Sequence, residues 1–263
     1  MSDKKLLNSL VFFYILVYTI SYVAVPAFHK FFKPKTISGT LLLNSVVLLM
    51  MFAVIYTIIK INKNDKTFFA TLGIRKKNTF SSFLLAEAFS IPILLSWLIG
   101  VKVAGINAML VAAKPSWINM EDVSFQSLFF AIILWTLTGI ISFSFWQAFP
   151  YELMNSFPLK LKLTLIVILW SGLYNAPLLS GKFDLFDIVF FGLLFTIVYH
   201  KRKNSIGILI AYLLNENPLW WIIAALFKPN IENVFLILLI FRALISFVSI
   251  ILMIRLKKTA SII

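Results

Sequence analysis

The chain of 263 residues is 61% apolar and only 13% charged, and it contains no cysteine. Its apolar runs are far longer than the roughly ten residues of a soluble core helix, which excludes a soluble globular protein. The lack of cysteine excludes disulfides and thiolate chemistry. Lysine and arginine number 24 against 10 acidic residues. These basic residues cluster between the apolar runs, where they set the orientation of a protein in the membrane. Nucleic-acid binding is therefore not predicted.

About eight membrane-spanning helices are predicted, because each crossing needs about 20 apolar residues. The predicted spans cover residues 6–28, 38–61, 79–101, 123–149, 162–179, 185–200, 205–227 and 233–256. Sixteen basic residues then lie on the side of the N-terminus and seven on the other, with Arg242 inside a span. The positive-inside rule therefore places both termini in the cytoplasm. The predicted fold class is all-α, a single polytopic helix bundle over residues 1–263, expected in a bacterial plasma membrane.

The seventh span differs from the others because polar residues and a proline interrupt it at Asn215, Glu216, Asn217 and Pro218. Proline lacks a backbone donor and clashes with the preceding turn, so the helix is predicted to kink or break there. Backbone groups freed inside a bilayer are tolerated only where protein or water covers them. The interruption is therefore predicted to face the bundle interior or an interface.

Two opposite charges lie at mid-depth in other predicted spans, Glu87 in the third and Arg242 in the eighth. A charge at the centre of a span costs about 2.5–3.5 kcal/mol on insertion scales, so such groups usually face the bundle interior. One prediction is a buried ion pair between the two side chains. The other is that Arg242 snorkels or meets carbonyls at a broken helix, with Glu87 protonated.

Asparagines also fall within spans: Asn175 follows Ser171 by one helical turn, and Asn215 follows Ala211 by one turn. Each is predicted either to hydrogen-bond a neighbouring helix or to line a polar pocket at the bundle centre. The histidines His29 and His200 lie outside or at the end of spans, and no HExxH, GxSxG or Walker motif occurs. No metal or cofactor is predicted.

The segment from Ser142 to Leu179, SFSFWQAFPYELMNSFPLKLKLTLIVILWSGLYNAPLL, resembles the core of the CPBP family of intramembrane proteases. This family comprises CAAX proteases and bacteriocin-processing enzymes and is also called Abi. FWQAF is similar to the first family motif, LWSGLYNAP to the second and SIGILIAYLLN to the third, and LGIRKKN is similar to a basic stretch before the core. The resemblance covers about residues 68–216. It implies a helical membrane fold in which glutamates and histidines activate a water for peptide hydrolysis.

When the chain is aligned to the family through FWQAF, each residue of the three family motifs corresponds to one position of this sequence. The glutamate pair of the first motif falls on Ser142 and Phe143, and its arginine falls on Gln147. The phenylalanine and histidine of the second motif fall on Ser171 and Asn175. The histidine and asparagine of the third motif fall on Ala211 and Asn215. Only Asn215 keeps the family residue. Asparagine and serine hydrogen-bond but cannot take a proton near neutral pH, so the resemblance implies a degenerate member without catalytic residues.

A shifted alignment keeps one carboxylate by placing a motif glutamate on Glu152. It leaves Tyr151 and Ser156 at the partner positions and shortens the gap to Asn175. In this alignment Glu152 lies at the cytoplasmic end of a helix, where a charged side chain is ordinary. No histidine follows at the second motif.

Three functions follow as hypotheses. The leading one is a pseudoprotease that serves as a scaffold or regulator and binds another integral membrane protein within the lipid bilayer. Its docking groove is predicted to be lined by Gln147, Asn175, Asn215 and Glu216. The second is an atypical protease of membrane or prenylated peptides that uses Glu87, Glu152 or Glu216. The third is a bacteriocin self-immunity protein.

Overall fold

The computed structural model describes residues 37–61, 68–115, 118–154, 156–170 and 192–260, together with positions 8, 11, 12 and 15. Helices connected by short turns make up these ranges, and they contain no strand. The all-α class is therefore confirmed for this part of the chain. The motif positions Ser171 and Asn175 and nearly all of the first predicted span lie outside the described residues.

The helices are numbered here in chain order. They are α1 (Ile37–Ile61), α2 (Phe68–Thr71), α3 (Thr79–Phe89), α4 (Ile91–Ala104), α5 (Ile106–Ala113), α6 (Phe125–Ile140), α7 (Phe149–Leu153), α8 (Leu159–Leu169), α9 (Phe195–Arg202), α10 (Ser205–Asn215), α11 (Asn217–Ala225) and α12 (Ile231–Ala260). A π-helix, Ile141–Ala148, joins α6 to α7, and a 3₁₀ turn, Met120–Asp122, precedes α6.

Among the described residues, three helical stretches are long and apolar enough to cross a membrane. They are Thr79–Ala104, Phe125–Leu153 and Ile231–Leu256. A fourth crossing is formed if α10 and α11 are counted as one broken span. These stretches characterise the chain as an integral membrane protein. The count of eight spans and the cytoplasmic position of both termini remain predictions.

The break in the seventh predicted span lies at Glu216, between α10 and α11, and bends the chain by 49°. Pro218 occupies the first turn of α11, where its missing N–H costs nothing. Trp220 Nε1 donates to the carbonyl oxygen of Leu214 at 2.7 Å. Asn215 at the break is only 3% exposed. Protein therefore covers the freed backbone, as the bilayer requires.

Close packing joins α3 to α10 through Gly207. A Cβ built on Gly207 would lie 2.4 Å from the Thr79 carbonyl oxygen and 2.6 Å from the Phe83 nitrogen, so only glycine permits this approach. The long helix α12 packs against α3 as well. As a result, the three helices that carry Glu87, Asn215 and Arg242 are neighbours.

Candidate functional site

Phe143, at a position that the resemblance assigns to a glutamate, lies at the centre of an aromatic cluster. Its side chain is 1% exposed and stacks on Trp170 with centroids 5.9 Å apart. The rings of Phe195 and Tyr212 meet it edge-on at 5.4 and 5.1 Å. Such pairs contribute about 0.5–1.5 kcal/mol each beyond their burial. The space around this motif position is therefore packed with aromatic rings.

The backbone around Phe143 is itself unusual, because Ile141–Ala148 forms a π-helix. These widened turns are rare and frequently occur at functional sites. Within it Gln147, at the motif arginine position, is fully buried. Ala211, at the third-motif histidine position, is also fully buried. For Ser142 only the helical backbone is described.

Asn215 connects the two intramembrane charges. Its Nδ2 donates to Glu87 Oε1 at 3.2 Å and to the carbonyl oxygen of Ala211 at 2.8 Å. Its Oδ1 accepts from Arg242 Nη2 at 3.3 Å. The second oxygen of Glu87 accepts from Ser246 Oγ at 3.0 Å. We call Glu87, Asn215, Asn217, Arg242 and Ser246 the polar network.

Arg242 is 2% exposed, so it does not snorkel to the membrane surface. Its Nη1 donates to Asn217 Oδ1 at 2.6 Å, and its guanidinium carbon lies 5.7 Å from the centroid of a Trp220 ring. Within the described residues Arg242 and Glu87 form no direct ion pair. Arg242 instead meets carbonyl oxygens at the broken helix, those of the Asn215 and Asn217 side-chain amides. The protonation of Glu87 stays a prediction. The helix break makes this possible because it brings Asn215 and Asn217 to the guanidinium.

Glu152 departs from its prediction as an ordinary charge at a helix end, because it is buried, with 8% exposed. Its Oε1 accepts from the Tyr199 hydroxyl at 3.0 Å and from Lys203 Nζ at 3.2 Å. Arg75 Nη2 lies 3.7 Å from the same oxygen. Two cations therefore compensate the buried carboxylate, which fastens the turns before α3 and before α10 to the end of α7.

His200, at the end of α9 and outside the candidate spans, bonds to the Tyr151 hydroxyl through Nδ1. Lys203 Nζ lies 3.8 Å from the centroid of the Tyr151 ring, and Lys162 Nζ lies 5.0 Å from it. Burial, followed by the charges of Lys203 and Lys162, lowers the pKa of His200 below its usual range. This imidazole is therefore a neutral hydrogen-bonding group near pH 7.

Sequence reasoning did not single out Asn204, which ties two turns together. Its Oδ1 accepts from the Gly207 N–H at 2.9 Å and caps α10. Its Nδ2 donates to the Lys77 carbonyl and to Thr79 Oγ1, both at 2.9 Å. An asparagine directly before an apolar helix is a cap signal that could have identified it. No pattern in the sequence indicates that Asn204 bonds to Lys77 and Thr79, which lie more than 100 positions away.

The predicted groove residues do not form an open surface in the described chain. Gln147 and Asn215 are buried, Glu216 is half-buried, and Asn175 lies outside the described ranges. Across the residues searched, no group of three or more His, Cys, Asp or Glu side chains could hold a metal ion. Comparison of the chain with protein-family models, curated proteins and solved structures finds no match.

Replacement of Glu152 by glutamine is expected to lower the free energy of unfolding by about 1–2 kcal/mol, after discounting for solvent screening of the cations. The reason is that Arg75 and Lys203, each with a third of its side chain exposed, lose their shared counter-charge. Thermal unfolding in detergent at low and high salt measures the loss, which salt should reduce. Glu121→Gln, at an exposed acid near the other end of the bundle, is the control. Equal losses in the two variants would contradict the assignment.

Proposed function

We propose that this protein is a degenerate CPBP-type membrane protein that has lost proteolytic chemistry and binds a transmembrane helix of another membrane protein. The aromatic packing around Phe143 is the observation that supports this best. A buried water needs two to four polar partners, and the faces and edges of the rings that pack on Phe143 offer none. The retained motif residue, Asn215, uses its amide to join helices and cannot act as a general base.

A groove between α4 and α12 supports the binding role. Its volume is about 360 Å³, and all of its lining side chains are apolar. Lining residues on both helices recur every third and fourth position, as on helix faces that pack together: Ile91, Leu94, Leu98, Ile240, Ala243 and Phe247. Ala243 is small and permits close approach of another backbone. This surface, which we call the α4–α12 groove, replaces the groove predicted from sequence in our proposal.

The occupant that fits this groove is a helix of another integral membrane protein. Seven residues of helix span about 10 Å, so the lining pattern runs parallel to an incoming helix for two turns. Leu244 and Phe247 are 56% and 58% exposed and would be covered by it. A soluble partner is disfavoured because the groove lies on the outer faces of two candidate spans and carries no charge.

Orientation forms part of the same proposal. The end of the bundle that carries Arg75, Lys203 and their basic neighbours is placed in the cytoplasm by the positive-inside rule. Eight spans with both termini on that side agree with this orientation. Labelling of single cysteines, introduced at Lys76 and at Lys228 in the cysteine-free chain, would test it directly.

We expect a photocrosslinking side chain introduced at Leu244 to capture one membrane protein in native membranes. Ala243→Trp fills the groove and is expected to reduce that capture by at least about tenfold, because overpacking prevents close approach. A crosslinker at Ile132, an exposed position on α6, is the matched control and should not capture the same protein. Capture of lipid alone, or of a second copy of this chain, would contradict the proposed partner.

The loss of proteolysis is tested separately from binding. Incubation of the reconstituted protein with membrane and prenylated peptides is expected to give no cleavage above that of empty vesicles. Cleavage that disappears in Glu87→Gln, Glu152→Gln or Glu216→Gln would instead establish the atypical protease.

A further inference from the structure

Three basic segments meet at one end of the bundle. They are residues 72–78 before α3, residues 158–162 at the start of α8, and residues 200–204 between α9 and α10. Ser205 N donates to the Gly73 carbonyl at 2.8 Å, and Asn78 Nδ2 donates to the Arg202 carbonyl at 3.3 Å. The segment of residues 158–162 joins the other two through Lys162, which lies over the Tyr151 ring beside Lys203. We call this surface the basic face.

The basic face is held in a defined shape. Asn204 binds the turn before α3, Glu152 binds Arg75 and Lys203, and Ser82 Oγ donates to the Asn204 carbonyl at 2.9 Å. The two contacts of Asn204 connect residues more than 100 positions apart in the chain, and the Glu152 contacts connect residues more than 50 apart. The cations therefore lie on a folded platform, in contrast to those on a solvated tail.

The charge of this face is one-sided. The three segments together carry eight cations: Arg75, Lys76, Lys77, Lys160, Lys162, Lys201, Arg202 and Lys203. Among the described residues, the acid bound to them is Glu152, which compensates Arg75 and Lys203. Four of the others are exposed and form no ion pair with any described residue: Lys76, Lys77, Lys160 and Lys201. Near the opposite end, both signs of charge are present, at Lys114, Glu121, Asp122, Lys228 and Glu232.

Exposed apolar side chains flank these lysines. Leu159 and Leu161, on either side of Lys160, are 41% and 44% exposed, and Phe69 and Phe80 are 59% and 61% exposed. Large apolar residues interleaved with lysines are typical of a membrane interface, where the apolar groups enter the acyl region and the ammonium groups reach the headgroups. Binding to nucleic acid or to an acidic soluble peptide would leave the apolar groups in water.

We propose that the basic face binds the phosphate headgroups of anionic lipids in the adjoining leaflet. The starts of α3, α8 and α10 lie at this face, so its lysines are close to the depth of the headgroups. Exposed ammonium groups and lipid phosphates are complementary in charge, and each cation near such a surface strengthens binding about fivefold. The inference does not depend on helix docking at the α4–α12 groove.

Native mass spectrometry of the full chain in mild detergent tests this with phosphatidylglycerol and phosphatidylcholine as probes. We expect preferential, salt-sensitive binding of phosphatidylglycerol. Lys76→Gln combined with Lys201→Gln should weaken it about 25-fold, following about fivefold for each charge removed. The control combines Lys102→Gln with Lys114→Gln, at two exposed lysines outside the basic face. It should change the binding of phosphatidylglycerol by less than about twofold.

Three results would overturn the proposal. The first is equal binding of the two lipids, and the second is an equal loss in the control variant. The third is competition by soluble glycerol phosphate as effective as that by the lipid, which would indicate a site for free anions. Thermal unfolding of both variants accompanies the experiment, because a folded protein with weaker lipid binding isolates the charge effect from misfolding.

Discussion

Replacement of Arg242 by methionine is expected to lower the free energy of unfolding by about 3–5 kcal/mol, the usual cost of breaking a buried charge network on one side. The guanidinium binds Asn215 and Asn217 and lies close to Trp220. Methionine leaves both amide oxygens without their donor and removes the positive charge nearest to Glu87 in the polar network. A loss of this size corresponds to roughly 10 °C in the midpoint of thermal unfolding.

A double-mutant cycle tests whether Glu87 and Arg242 are energetically coupled within the polar network. Glu87→Gln alone should also destabilise, but the combined variant should lose about 1–3 kcal/mol less than the two single losses together. Ser249→Ala on the same helix is the control, because within the part of the chain that the structure describes Ser249 bonds only to the Ile245 carbonyl of α12. It should stay within about 0.5 kcal/mol of the parent. Additive losses at Glu87 and Arg242 would show that they stabilise the bundle independently.

Gly207→Ala is expected to destabilise the protein by about 1–3 kcal/mol, because the added methyl group meets backbone atoms of α3 that cannot rotate away. In a solvent-exposed helix, replacement of glycine by alanine stabilises the fold by about 1 kcal/mol. The close packing at Gly207 therefore changes the expected effect from stabilising to destabilising. Separation of α10 from α3 would also lengthen the bond between Asn215 and Glu87. Thermal unfolding in detergent measures the effect.

Gly100→Ala is the matched control for this variant. A Cβ at Gly100 would meet Met109 Sδ at 2.6 Å, but that atom is near the end of a flexible side chain and can move. We expect Gly100→Ala to be neutral or slightly stabilising. Similar losses at the two glycines would mean that close packing of α3 on α10 is not what Gly207 provides.

The sequence alone determined the local features of this protein. Long apolar runs predict membrane helices because a bilayer admits only segments whose backbone bonds are satisfied internally. The break near Pro218 follows from the chemistry of one residue, and the structure has it at Glu216. The basic stretches at residues 75–77 and 201–203 were likewise predicted to lie on one side of the membrane, and the structure brings them together.

Only the tertiary structure decided which polar side chains meet. Asn215 and Glu87 are 128 positions apart, and Ser246 and Glu87 are 159 apart, so no spacing in the sequence could pair them. For the same reason Glu152 could not be distinguished from a solvated helix end until Arg75 and Lys203 were found beside it. Periodicity and proline chemistry act over one or two helical turns. Burial and pairing depend on how distant helices pack, and in this bundle glycine at position 207 permits the close approach of α10 to α3.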